Sequence, residues 1–129
     1  MLTVLITGTR RFKPGPHTAT AALIREIVQK LPKGTTVIAG HANGIDKFFE
    51  EEARKRSDLN VHPVPADWDK HGPSAGPKRN FLMVDLLMVY RDHDYSTLVL
   101  AFPDDESIGT IGCLKRAEEK GFKVRSFPL

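Results

Sequence analysis

Four short segments of the chain carry residue types whose spacing suits the holding of a phosphate. In Thr7-Gly8-Thr9-Arg10-Arg11, Gly8 lets the backbone approach a ligand, while Thr9 and either Arg10 or Arg11 offer a hydroxyl and a guanidinium. In Gly40-His41-Ala42-Asn43-Gly44-Ile45-Asp46, two glycines bracket a helix entry whose free N–H groups would make a second anion cradle. Asp46 there suits a ribose hydroxyl; the plainer alternative is that Asn43 and Asp46 form a capping pair for the helix. The third segment is Ala66–Asn80, ADWDKHGPSAGPKRN, in which Pro77, Lys78 and Arg79 read as the first turn of a helix. Lys78 and Arg79 are unfavourable for the positive end of a helix and favourable for an anion held there. The fourth is Phe102–Thr110, with Gly109-Thr110 as a third phosphate-facing helix start. Its Asp104, Asp105 and Glu106 suit either a divalent ion or, more simply, a solvated loop tip. Trp68 is placed to stack on a base or to pack in the core, and Cys113 reads as a small buried hydrophobe. None of these segments is a G-x-G-x-x-G or a Walker A loop. Singly, each also reads as a solvated turn or a cap.

The elements between them decide whether they meet. Met1–Thr7 is a β-branched run that reads as a buried strand. Thr18–Leu31 has helical spacing of apolar residues with one core face. A strand at Thr36–Ala39, a helix at Ile45–Arg56 and a strand at Asn60–Val64 follow. Ala66–Asn80 is too rich in Gly, Pro and charge for regular structure and reads as a long, ordered loop. Phe81–Tyr90 is a helix that is apolar all round except for Asp85. Thr97–Phe102, Thr110–Lys120 and Lys123–Phe127 complete the chain as strand, helix and strand. Strands alternating with helices imply βαβ units, and therefore an α/β, Rossmann-like open parallel sheet of about five strands flanked by helices. Right-handed crossovers would bring the four segments to the C-terminal edge of that sheet, where open α/β sheets bind ligands.

Bulk properties narrow the function classes. The chain has 129 residues, 40% hydrophobic and 27% charged, which suits a single domain over residues 1–129 with a proper core. A net charge of +3 is mild, and Lys and Arg are interleaved with Asp and Glu, so no nucleic-acid partner is expected. The longest apolar run is about half a membrane span and no leader-like segment opens the sequence, so no membrane association and a cytoplasmic location are expected. One Cys excludes an internal disulfide and the five His show no metal-ligand pairing. The all-round apolar character of Phe81–Tyr90 points to a homodimer or higher homo-oligomer through that helix.

Taken in order, LITGTRRF, AGHANGID, PADWDKHGPSAGPKRNFLMV and LVLAFPDDESIGTIGC resemble the small stand-alone proteins of the SLOG superfamily, specifically the DUF2493 (YspA-like) group. The superfamily is Rossmann-like and includes the LOG phosphoribohydrolases and the DNA-processing protein DprA. The resemblance implies binding of a nucleotide or a nucleotide-derived signal, including ADP-ribose-like molecules of antiviral systems. Of the LOG catalytic pattern, Arg79 matches the Arg of an Arg-Lys pair, with Asn80 in place of Lys. Gly109-Thr110 matches the Gly-Thr of Gly-Gly-x-Gly-Thr-x-x-Glu. The catalytic Glu of that pattern falls at Cys113, and acidic residues and Ser107 replace its upstream glycines. The resemblance therefore implies a binding site without the LOG catalyst. The expected ligand contacts are Gly8, Thr9, Arg10, Arg11, Gly40, Asn43, Gly44, Asp46, Trp68, Lys78, Arg79, Asn80, Gly109 and Thr110, with no catalytic or metal-ligating residue. The expected role is a sensor, or a phage or bacterial protein that sequesters a defence signal. The alternative is a nucleotide N-glycosidic hydrolase in which Asp46, Asp67 or Glu106 replaces the missing Glu.

Overall fold

The computed structural model describes residues 1–129. Its strands are β1 (Leu2–Gly8), β2 (Thr36–Ala39), β3 (Asn60–Pro63), β4 (Ser96–Phe102) and β5 (Val124–Ser126). Its helices are α1 (Thr18–Lys30), α2 (Ile45–Arg54), α3 (Trp68–His71), α4 (Ala75–Asp92) and α5 (Ile108–Glu119). The strands form one sheet in the order β3-β2-β1-β4-β5, and every pairing is parallel. This is the Rossmann-like parallel sheet expected from the alternation of strands and helices.

Both faces of the sheet are covered, as near-continuous apolar strands require. The period of two along a strand sends alternate side chains to opposite faces. Val4, Ile6, Val37 and Ala39 pack with Ile24 and Val28 of α1 and Phe48, Phe49 and Ala53 of α2. Leu5, Ile38 and Val99 face the other way, onto Met83, Val84 and Leu87 of α4 and Cys113 and Ala117 of α5. The chain thus winds from β1 toward β3 on one side, crosses under the sheet edge, and returns through α4 to β4. The point where the direction reverses lies between β1 and β4. Their C-terminal ends, Gly8 and Phe102, are register partners.

The crossing segment differs from the sequence expectation. Residues 66–80 are mostly helical. Asp67 caps the one-turn α3 by accepting the Lys70 N–H at 3.1 Å. A 3₁₀ turn, Gly72–Ser74, follows, and α4 begins at Ala75, two residues before the first turn expected at Pro77–Arg79. Both prolines fall in first turns: Pro73 in the 3₁₀ segment and Pro77, as its sequence context suggests, in α4. A missing N–H costs nothing at those positions and a fixed φ is already suitable. No helix is long and apolar enough to cross a membrane.

One glycine fixes how α2 meets β1. Gly44 is the N-cap of α2 with φ of 87°, and a Cβ there would collide with the Thr9 carbonyl, which accepts the Ile45 N–H at 3.1 Å. Gly44→Ala should therefore destabilise the fold by ~1–3 kcal/mol through strain at positive φ. Phe49→Ala, which empties a fully buried site, should cost ~3–5 kcal/mol. Ile108→Ala, at a residue 82% exposed, should change stability by less than ~0.5 kcal/mol. Urea denaturation of the three variants checks the order.

Candidate functional site

At the reversal point the end of β1, the loop after β4 and the starts of α2, α4 and α5 enclose a cavity of about 350 Å³. That is within the range of small-ligand sites. It is lined by 18 residues, only 3 of them hydrophobic, so it suits a polar or charged ligand. Ten of the residues expected from the sequence line it: Gly8, Thr9, Arg10, Arg11, Asp46, Trp68, Arg79, Asn80, Gly109 and Thr110. The convergence of distant segments expected from the topology is present.

Arg79 is the central cation. It is 8% exposed, yet its partners are uncharged. Nη1 donates to the Gly40 carbonyl and Nε donates to Asn80 Oδ1 at 2.7 Å. No carboxylate forms an ion pair with it; Asp46 is near enough to be felt electrostatically, and burial lowers the guanidinium pKa. Gly40 is needed for this approach, because a Cβ there would sit 2.6 Å from Nη1. Asn80 extends the link, donating from Nδ2 to the Gly109 carbonyl at 3.2 Å, and so ties α4 to the first turn of α5. Lys78, one residue earlier, lies about 100° round the helix and is exposed. Its Nζ lies 3.2 Å from His71 Nδ1, and it lines neither this cavity nor its neighbour. The expectation that Lys78 joins Arg79 is corrected by that rotation.

The two arginines after β1 have separate roles, against the expectation that either would serve. Arg11 is clamped by Asp104, donating from Nη2 to Oδ1 at 2.5 Å and from Nε to Oδ2 at 2.7 Å. Asp104 also accepts the Thr9 hydroxyl at 2.6 Å and the Ser107 hydroxyl at 2.8 Å. The Arg11 guanidinium, with these hydroxyls, holds the Asp104 carboxyl well below the usual carboxylate range. Asp104 is therefore neither a solvated tip nor a free metal ligand, and no group of three or more His, Cys, Asp and Glu converges as a cation site would need. Arg10 is free of ion pairs. Its guanidinium lies over the ring of Trp68 at 5.2 Å, and Trp68 is 47% exposed at the rim, not in the core.

The glycine loop is also corrected in detail. Gly44 lines neither cavity and acts in packing, as described above. Gly40 and Asn43 line an adjoining cavity of about 340 Å³. Asn43 and Asp46 do not cap α2, which has no side-chain cap. Asp46 instead accepts the Ala42 N–H at 3.4 Å, and the buried Glu50 accepts the His41 N–H at 3.0 Å. Two of the loop's amides are thus already engaged, so it is a poorer amide cradle than its sequence suggests. The start of α5 is the open one: the N–H groups of Gly109 and Thr110 find no acceptor in the chain. Sequence reasoning missed Ser107, Thr7 and Glu50. Thr7 donates to Thr110 across the cavity floor at 3.5 Å, and no local signal marks a strand-end threonine for that task.

Asp46 is buried, and its Oδ1 has no hydrogen-bond partner. Burial pushes its carboxyl up to about 7, against the opposing pull of Arg79 and the Ala42 N–H. Folding therefore favours the protonated acid. That contribution is fully present below the ordinary carboxylate range and is lost as pH rises through about 7. Asp46→Asn should match the parent in stability near pH 4 and exceed it at pH 8 by on the order of 2–4 kcal/mol. Chemical denaturation of both proteins at the two pH values checks this; an unchanged difference would contradict the described environment of Asp46.

No family model matches the chain. DNA processing protein A (DprA) from Streptococcus pneumoniae superposes with a TM-score of 0.52 over 97% of this chain, at 17% sequence identity. The chain spans 58% of that structure's length, and the likeness is one of Rossmann-like fold. The Gene 61 protein of Mycobacterium phage D29 is 33% identical over 131 residues, covering 98% of this chain and 97% of that protein. Identity of that level over nearly the whole of both sequences establishes that the chain belongs to the family of the mycobacteriophage D29 Gene 61 protein.

Proposed function

We propose that the protein binds a nucleotide or nucleotide-derived signal, a nucleoside phosphate or an ADP-ribose-like molecule, in the cationic crevice between β1 and β4, and does so without turnover. The observation that carries this reading is Arg79, a buried guanidinium with neutral partners and no carboxylate paired to it. A buried charge is stable only when compensated, and an anionic ligand in the cavity supplies the compensation. The unpaired amides of Gly109 and Thr110 and the free Arg10 face the same space. A phosphate on the α5 N-terminus would gain from its amides and its dipole. Trp68 offers a face for the base.

The sequence blocks quoted above support placing the chain in the DUF2493 (YspA-like) group of the SLOG superfamily. The phage relative supports a role in which a phage-type protein senses or sequesters a defence signal in the host cytoplasm. Homo-oligomer formation belongs to the same proposal: Phe81, Leu82 and Val89 of α4 and Ile111 of α5 are exposed, apolar side chains that a second subunit would cover. Light scattering should give at least twice the 14.4 kDa chain mass; a monomer at micromolar concentration would remove that part.

A second reading, hydrolysis of a nucleotide N-glycosidic bond, is favoured by one observation. Asp46 lines the cavity with a carboxyl pushed up to about 7, where a general acid or base works best. Cys113 cannot take that role: it is buried in the α4–α5 face of the core, and burial pushes its thiol up to about 11. Incubation with nucleoside monophosphates, NAD and ADP-ribose should give no sustained release of free base by chromatography. Release that disappears in Asp46→Asn would establish the second reading instead. For binding, Arg79→Ala should weaken nucleotide affinity roughly ten- to a hundredfold by calorimetry, the range for a charge-assisted contact. Arg11→Ala, which removes a guanidinium already satisfied by Asp104, should weaken it far less. Equal losses in the two variants would place the anchor elsewhere.

A further inference from the structure

The crevice has an annex that the nucleotide reading leaves unused. The adjoining cavity of about 340 Å³ shares Arg10, Ala42, Trp68 and Arg79 with the first. Beyond that common wall it is lined by His41, Asn43 and Lys47, and no carboxylate lines it. Three cationic side chains, Arg10, Lys47 and Arg79, therefore face a space with no opposing anion.

His41 is held there by a specific device. Its φ of 56° is in the left-handed region, where residues with a Cβ are uncommon. Its backbone N–H and its ring Nδ1 both meet Glu50, at 3.0 and 2.7 Å. Glu50 is completely buried, and Arg54 stands 3.6 Å from the same carboxylate oxygen. A buried carboxylate is a poor stabilising element compared with an apolar side chain of similar size, so packing alone gives no reason for it. What it does is fix one loop residue in an unfavourable conformation and occupy one ring nitrogen. Nε2 has no partner in the chain and is the nitrogen left for a ligand. A histidine oriented through its other nitrogen by a carboxylate is a common way of presenting imidazole to a ligand.

We infer that this second cavity is a subsite for a second phosphoryl group, so that the ligand is a nucleoside diphosphate or a diphosphate-bridged nucleotide instead of a monophosphate. This rests on the nucleotide-binding reading above. The first phosphate lies at the α5 amides and Arg79. The second crosses the shared wall, where Arg10 and Arg79 contact both, and is received by Lys47 and by Nε2–H of a His41 ring that carries both protons, Nδ1–H donating to Glu50 and Nε2–H to the phosphate. A terminal phosphate and a bridging diphosphate offer the same oxygens to this subsite, and only the bridged form carries a further group beyond it.

The test compares matched pairs by calorimetry: AMP with ADP, GMP with GDP, CMP with CDP and UMP with UDP, and ADP with ADP-ribose. For at least one base the diphosphate should bind about tenfold or more tightly than its monophosphate, as one added charge-assisted contact gives. The ratio of the two affinities should fall toward one in Lys47→Ala and in His41→Asn, the latter keeping a residue that tolerates the left-handed backbone. Tighter binding of ADP-ribose than of ADP identifies a bridged ligand; the reverse identifies a terminal phosphate. Equal affinity within every pair, or a ratio untouched by both substitutions, would overturn the second subsite while leaving nucleotide binding intact. Binding of none of these compounds would overturn nucleotide binding itself, and this inference with it.

Discussion

The arrangement of this protein depends on a guanidinium buried at the edge of its sheet. Arg79 projects from the second turn of α4 into the space between β1 and β4, where its neighbours are a carbonyl and an amide. Each neighbour has a further attachment. Gly40 follows β2 and can approach only because it lacks a Cβ. Asn80 reaches the first turn of α5. Asp46, the one acid nearby, is driven by burial toward its neutral form, so it screens the charge weakly. Elements from both faces of the sheet thus meet around one incompletely compensated cation. The low local dielectric that makes such a charge costly also makes an arriving anion bind strongly.

Around that charge the remaining polar residues divide into those that build and those that wait. The Thr9–Arg11–Asp104–Ser107 cluster is closed on itself, each group satisfied by another, and it joins the loops after β1 and β4 into one wall. Arg10, Trp68 and the α5 amides have no comparable partners in that wall. The distinction is local geometry: consecutive residues Arg10 and Arg11 meet different partners, Arg11 pairing with Asp104 and Arg10 lying over the Trp68 ring. Preorganisation of the wall by its own bonds leaves little to be ordered when a ligand enters.

Much of this was legible in the sequence. Apolar β-branched runs spaced by amphipathic segments give the parallel sheet, and topology alone carries four distant segments to one edge. Arg79 stood out because a cation at a helix start is electrostatically misplaced unless it serves something. What was not legible depends on rotation and on tertiary partners. Lys78 and Arg79 are neighbours in sequence but lie about 100° apart round α4, and only Arg79 lines the cavity. The Gly- and Pro-rich stretch before them folds into α3 and a 3₁₀ turn because its prolines fall where a missing N–H is harmless. Gly44 looked like part of a cradle and is a packing device, since only the Thr9 carbonyl lying against it reveals the constraint. Glu50 is one of three consecutive acids in the sequence; only the packed α2 shows that it is buried and holds His41.

The central claim is that an anionic nucleotide sits at the start of α5 beside Arg79. Amide chemical shifts of the ¹⁵N-labelled protein, followed by NMR during titration with nucleoside mono- and diphosphates, test it most directly. The account predicts saturable shifts at the amides of Gly109 and Thr110 and at the Nε1–H of Trp68, with little change along α1 and β5. Shifts confined to other parts of the surface, or none with any of these compounds, would contradict it.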